Sequence, residues 1–397
     1  MAIFQRKLLI TKPYGFADKL SLAWRIPLLI IRCTANFSSI CLSHGEASAL
    51  NWRQKLAIAC LQASRTTFTS KEDAIRSRKP LTGPRIQKYC QRHNLKHRSV
   101  SLGGGTPHNK GDAPPPVLHF VTGPAAQAGG PTILYSHGGG YHSPIRAEGH
   151  IPFVMLCAEA CKAEQVVFLE YSLSPDEHYP CQLIQAVAGL RFLLEKKGIQ
   201  ANNIILGGDS AGAHLTASLL AHIAQPSPHA TPVDLRGSQF KAVFLVSPWL
   251  TMSEEQGKAL PQARNDYLTR ERISQFRDMF KPVLSEIWSN PYEAEGAAAV
   301  WSRFVHGRDE HTICRKVILA VGTSEILLES CLNFGRDFIG CKSVRVDTKA
   351  DLELVKDNDF VLAIASGEAH VQPALDCAVR YYDGRMLKAI LAFLETC

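Results

Sequence analysis

Two glycine-bearing runs constrain this 397-residue chain more than any other feature: His137-Gly138-Gly139-Gly140 and, further along, Gly208-Asp209-Ser210-Ala211-Gly212. The second can place a serine on the strained turn between a strand and a helix. The first can aim backbone N–H groups at an oxyanion. A lone G-x-S-x-G arises by chance in roughly one chain in eight of this length, but His-Gly-Gly-Gly in well under about 1%. Each run also follows an apolar stretch that reads as a strand, so the pair carries far more information than either alone.

A serine hydroxyl is a weak nucleophile and needs an adjacent base, itself oriented by a third group. Ser210 follows the apolar strand Ile204-Ile205-Leu206, and Gly208 and Gly212 leave room for a tight turn. The helix that starts at Ala211 points N–H groups at developing negative charge. In the glycine run, side chains would keep a carbonyl oxygen from the main-chain donors. Gly138 and Gly139, joined by Ala211, are therefore the expected oxyanion hole, with His137 shaping the loop.

Strands and helices alternate along the body of the chain. Strands are expected at Val117–Val121, Thr132–Ser136, Gln165–Tyr171, Asn203–Leu206, Ala242–Val246, Lys316–Val321, Ser343–Val346 and Phe360–Ala365. Helices are expected near Ile151–Cys161 and at Cys181–Lys196, Ala211–Ala224 and Arg385–Leu394. This order argues for an α/β fold with a mostly parallel sheet and helices on both faces. Residues 1–100 read as a helical arm, most periodic over Leu50–Ala63. Residues 101–130 form a connection rich in turn signals, Gly103-Gly104-Gly105 and Pro114-Pro115-Pro116 among them, and 131–397 the main domain. An aromatic-rich stretch at about 248–303 interrupts the rhythm and reads as a mostly helical insertion.

With these motifs in view, the chain resembles the hormone-sensitive lipase branch of the α/β-hydrolase fold, especially fungal members related to steryl acetyl hydrolases. The likeness rests on His137–Gly140, Tyr171-Ser172-Leu173-Ser174-Pro175, Gly208–Gly212 and a late Glu325/His370 pair, and it runs from about Thr132 onward. Residues before Ser101 match no family pattern. The resemblance implies a helical cap and a triad in the chain order Ser210, Glu325, His370. Glu325 lies in Gly322-Thr323-Ser324-Glu325-Ile326-Leu327 after a strand, with Glu329 and Asp347 as nearby competitors. His370 lies in Gly367-Glu368-Ala369-His370 after the last strand. The family's Tyr-x-x-x-Pro segment usually carries an arginine where this chain has Ser172, which puts the support of the glycine loop in question.

The expected function is serine carboxylic-ester hydrolysis with no metal and no organic cofactor. The resemblance favours removal of a short acyl group, such as acetate, from a bulky hydrophobic alcohol, a sterol or a fungal secondary metabolite. Thioester release or lactone opening and closure use the same triad, and a ligand-binding protein on a dead scaffold, as in the plant gibberellin receptor, is a third reading. Tyr141 and Trp249 lie next to predicted loop ends, where they either line an apolar pocket or pack the cap core.

The net charge of +8 is uneven: the first hundred residues hold 18 Lys and Arg against 4 Asp and Glu, leaving 26 against 32 for the rest. A basic arm suits either plain solvation or an anionic membrane surface, and no nucleic-acid module accompanies it. The apolar run Ile26–Ile31, bracketed by Arg25 and Arg32, is far shorter than the ~20 residues that span a bilayer. An interfacial helix and a cap helix both fit it. The twelve cysteines form no C-x-x-C pair and read as buried free thiols of a reducing compartment. The setting expected is intracellular, either cytoplasmic or peripheral to a membrane such as the endoplasmic reticulum.

Overall fold

The computed structural model describes residues 16–68, 81–103, 113–255, 265–305 and 312–397. Gly104 and Gly105 of the expected turn, and residues 256–264 of the expected insertion, lie outside them. Helices α1 (Phe16–Cys41), α2 (Trp52–Thr67) and α3 (Thr82–Arg92) come first, followed by strands β1 (His97–Ser101), β2 (Val117–Thr122) and β3 (Thr132–Ser136). The chain continues through α4 (Ala147–Ala160), β4 (Gln165–Glu170), α5 (Cys181–Arg191), β5 (Ile204–Asp209), α6 (Ala211–Ala224) and β6 (Ala242–Val246). Helices α7 (Arg270–Phe280) and α8 (Ala297–Val305) precede β7 (Val317–Gly322), α9 (Leu328–Asn333), β8 (Lys342–Val346), α10 (Lys349–Lys356), β9 (Phe360–Ala365), α11 (Gln372–Ala378) and α12 (Arg385–Leu394).

One nine-stranded sheet runs β1-β2-β4-β3-β5-β6-β7-β9-β8. Strands β1 and β2 pair antiparallel with each other, and β2 with β4; every other pair is parallel. Strands β3, β5, β6 and β7 are buried along their whole length, which is why they read as continuous apolar runs. The chain leaves β3 for β4 on one side and returns to β5 on the other. Ligands of open α/β sheets bind at such a reversal, outside the carboxyl ends of the strands. Both glycine runs emerge there.

Helices cover both faces. On one side α5 and α6 join the aromatics of α7 in a core that contains Leu206, Leu245 and Phe280. On the other, α4 and α12 pack over Ile205, Phe244 and Val361. Helix α6 is buried nearly all round, as an apolar helix must be.

The sequence-based expectations need three corrections. The arm is not wholly helical: β1 forms at its end, across the expected boundary at residue 100, and adds an edge strand ahead of the one expected at Val117–Val121. This strand is short, polar and at the sheet edge, where apolar patterning is weakest. Among the described residues of the insertion, α7 and α8 are the only full helices, because Pro282, Pro291 and Gly296 punctuate the rest. The helix expected over 181–196 is regular only to Arg191 and closes in a wider turn over Phe192–Lys196.

Candidate active site

Strand β5 delivers Ser210 with φ 51° and ψ −119°, a conformation strained for a residue with a Cβ. The turn is that tight because backbone crosses backbone: a Cβ on Gly208 would sit 2.4 Å from the Gly212 carbonyl oxygen, and one on Gly212 2.0 Å from that of Ser136. Ser210 Oγ lies 2.8 Å from His370 Nε2, and His370 Nδ1 lies 2.9 Å from Glu325 Oε2. Glu325 Oε2 accepts a hydrogen bond from the Nδ1–H of His370, which leaves Nε2 as acceptor for the serine hydroxyl. The His370 and Glu325 side chains are 3% and 0% exposed, so water does not compete for these bonds. The competitor Asp347 instead faces Arg345 and Arg385, and Glu329 makes no contact with His370 among the hydrogen bonds of the described residues.

Glu325 is itself held. Its Oε1 accepts from Gly322 N at 2.6 Å and from Ser247 Oγ at 2.9 Å. The same Ser247 hydroxyl oxygen accepts from Val371 N at 3.1 Å, so one side chain ties the acid to the residue after the base. Ser247 is fully buried at the carboxyl end of β6 with φ 46°. Sequence reasoning missed it; its only signal is a polar residue that ends an apolar strand.

One expected oxyanion donor is replaced. The Gly138 N–H donates to Asp209 Oδ1 at 2.8 Å and is unavailable to a ligand. Among the described residues the N–H groups of Gly139, Gly140 and Ala211 have no such partner, so the available donors are Gly139 and Gly140 with Ala211. Gly139 has φ 122° and Gly140 φ 61°, conformations that favour glycine, and a Cβ on Gly140 would strike the Phe276 ring at 2.2 Å.

The Asp209 carboxylate also accepts from the Tyr135 hydroxyl and from His150 Nε2 at 3.1 Å. Burial raises its pKa, but His150, Tyr135 and Gly138 together outweigh burial and hold it below the usual aspartate value. His137 meets Thr82 Oγ1 of α3 at 3.1 Å, while Tyr171 donates to its carbonyl. Burial lowers its pKa to about 4. A neutral His137 bonded to Thr82 and Gly138 shapes the loop, as expected, rather than serving as a base. Where the family's arginine is missing, Gln185 of α5 clasps Ser172, accepting from its N–H at 2.7 Å and donating to its Oγ at 2.8 Å.

A cavity of about 400 Å³ opens above Ser210. Its walls include Ala57, Cys60 and Leu61 of α2, Tyr267, Phe276, and Ala374 and Leu375 of α11. The N-terminal arm is therefore a pocket wall, and Tyr267 and Leu61 are site residues that the sequence did not single out. Tyr141 and Trp249 are not in the wall. Tyr141 is buried behind the glycine loop, stacked on Phe280 at 4.2 Å with its hydroxyl 2.6 Å from His214 Nδ1. Trp249 is spent on the same aromatic cluster. Trp249 also meets Phe276, which does line the cavity. Among the described residues, no cluster of three or more His, Cys, Asp or Glu is arranged to hold a metal ion.

The model of the alpha/beta hydrolase fold family matches residues 133–348, which include Ser210 and Glu325 and stop short of His370. An acetyl-hydrolase of Streptomyces hygroscopicus is 33% identical over 132 residues, 33% of this chain and 40% of that protein. LipR of Mycobacterium tuberculosis is 25% identical over 217 residues, 54% of this chain and 62% of that protein. The chain thus spans less than two thirds of the length of these curated relatives. In three dimensions the fold matches an esterase from the bacterial hormone-sensitive lipase family with a TM-score of 0.57 at 18% identity, covering 88% of this chain and 98% of the other.

Proposed function

Because this chain belongs to the alpha/beta hydrolase fold family, whose model spans more than half of it, we infer that it cleaves carboxylic esters through an acyl-serine intermediate. The observation that carries this reading is the continuous hydrogen-bonded series Ser210–His370–Glu325 beside the N–H groups of Gly139 and Gly140, which have no partner among the described residues. Ser210 Oγ attacks the ester carbonyl as His370 Nε2 takes its proton. The oxyanion sits against Gly139, Gly140 and Ala211, and the imidazolium is stabilised by Glu325, which does not itself take the proton. His370 then protonates the departing alcohol. Water, activated by the same imidazole, releases the acid.

A short acyl group on a bulky hydrophobic alcohol, such as a sterol or another polycyclic metabolite, is the substrate class we favour. Two things support it: the apolar side chains around the cavity, and the acetyl-hydrolase among the relatives. The same reading places the enzyme inside the cell, working at an anionic lipid surface from which such esters are taken. It draws on the apolar outer stripe of α1, where Trp24 is 77% and Ile31 65% exposed, and on the basic excess of the first hundred residues. No helix among the described residues is long and apolar enough to cross a membrane.

The test is a panel of acetyl, butyryl and octanoyl esters, soluble and sterol-linked, assayed beside Ser210→Ala. Turnover falls by several orders of magnitude in that variant while its circular dichroism stays native. Full ester cleavage by Ser210→Ala refutes the reading. Preference for octanoyl over acetyl esters refutes the substrate class alone.

A further inference from the structure

The N-terminal helical pair carries a chemistry that ester cleavage does not use. Cys33 on α1 and Cys60 on α2 bring their sulfurs to 2.9 Å. That is closer than an ordinary non-bonded approach and still wider than the roughly 2.05 Å of a disulfide. The helices are pinned in register nearby. Arg25 Nη1 donates to the Thr67 carbonyl at 2.6 Å, and Arg32 to that of Thr66. Other thiols turn to backbone carbonyls instead, Cys161 to Cys157 at 3.2 Å and Cys331 to Pro248 at 3.4 Å. Cys60 is exposed and forms part of the catalytic cavity wall.

We propose that Cys33 and Cys60 are a redox-modification site, closed to a disulfide by exchange with a small-molecule disulfide such as glutathione disulfide, which staples α1 to the wall of the pocket. One cysteine thiolate attacks glutathione disulfide, breaking its S–S bond and releasing one glutathione thiolate. The second cysteine sulfur attacks the mixed disulfide and expels the other. The two protein sulfurs lose two electrons, glutathione disulfide gains them, and the two cysteine protons end on two glutathione thiols.

Partial burial of its sulfur, and then the Cys33 thiol beside it, push Cys60 up to about 12. Little thiolate exists at neutral pH, so the bond forms slowly, as a staple rather than a fast sensor. Helix α1 is seated on α2 and the turn Glu46–Ala49, so the bond fixes the outer helix to the one that carries Ala57, Leu61 and Arg65 into the cavity.

The full chain is incubated with glutathione disulfide, alkylated, digested and weighed by mass spectrometry. The expected product is a peptide linking Cys33 to Cys60, with the mass of two hydrogens lost. It is accompanied by a higher melting temperature that dithiothreitol reverses and that Cys33→Ser lacks. KM for a bulky ester shifts about twofold or more on oxidation, with KM for a small acetyl ester unmoved, and Cys33→Ser shows no shift. Recovery of both cysteines as separate glutathione adducts or as alkylated thiols in folded protein overturns the proposal. So does an equal melting shift in Cys33→Ser. The KM readout rests on the esterase reading, but the linked peptide does not. A linked peptide without ester cleavage therefore sinks the esterase reading and leaves the staple, and cleavage without the peptide does the reverse.

Discussion

Ser247 shows how one hydroxyl can set the geometry of two catalytic groups. It donates to Glu325 and accepts from the backbone beside His370, so its loss frees the acid and the base loop together. A hydrogen bond to a charged group contributes about 1.5–3 kcal/mol, which corresponds to a fall in kcat of about one to two orders of magnitude for Ser247→Ala. KM should change little, because Ser247 does not touch the cavity. Steady-state kinetics check this, and a loss confined to KM would contradict it. At this scale, legibility depended on whether a residue's task is local. Ser210 was legible from the glycines that its own turn demands, and His370 and Glu325 only through the family resemblance, which looks for an acid and a base after late strands. Gly138 was misjudged because the group that takes its N–H is the side chain of Asp209, far away in the chain. Ser247 was invisible for the same reason: its partners come from two other strand ends.

Between elements, the arm is joined to the catalytic loops by polar contacts that no periodicity announces. Glu46 pairs with Thr323 and Arg345, and the Thr323 hydroxyl oxygen accepts from Gly367 N at 2.7 Å, just before the His370 loop. Gln54 of α2 reaches the buried carboxyls of Glu368 at 3.4 Å and Asp376 at 3.0 Å. Gln372 and the N–H groups of Arg385 and Met386 complete that cluster. Burial first, and Glu368 second, raise the Asp376 carboxyl from 3.8 to about 8.

Between those two pH values the folded chain keeps a proton that the unfolded chain releases. Stability from this group is therefore complete below about pH 4, declines as pH climbs, and is gone above about pH 8. Asp376→Asn mimics the protonated form. It should match the parent in acid and melt progressively higher than the parent toward pH 8, as thermal scans across that range will show. A parent and variant that stay parallel from pH 4 to pH 8 would rule the cluster out as a titrating unit. The long buried strands and α6 were legible because burial on every side writes itself into composition. Helices α9 to α11, of six to eight residues each, carry too few turns to do so.

On the scale of the whole molecule, the apolar exposure of α1 falls in the same stretch of sequence as the basic excess. Trp24, Leu28 and Ile31 lie four and three residues apart on α1, which makes one outward stripe, and all are exposed while the opposite side of the helix rests on α2. A stripe of this kind, in a stretch of sequence with a strong excess of Lys and Arg, supports the proposed seat in a lipid interface, where each basic residue near an anionic surface contributes about 1 kcal/mol. Helix α2 packs against α1 and supplies Ala57, Cys60 and Leu61 to the cavity wall. The full chain should therefore float with vesicles that contain anionic lipid, less with neutral vesicles, and less again as salt screens the attraction. Trp24→Glu with Ile31→Glu should abolish flotation and leave kcat/KM on a soluble acetyl ester unchanged, since neither residue lines the cavity. Failure to float at low salt would remove the lipid surface from the proposal. A mass in solution that doubles for the parent, and halves for the double variant, would assign the stripe to a second copy of this chain instead.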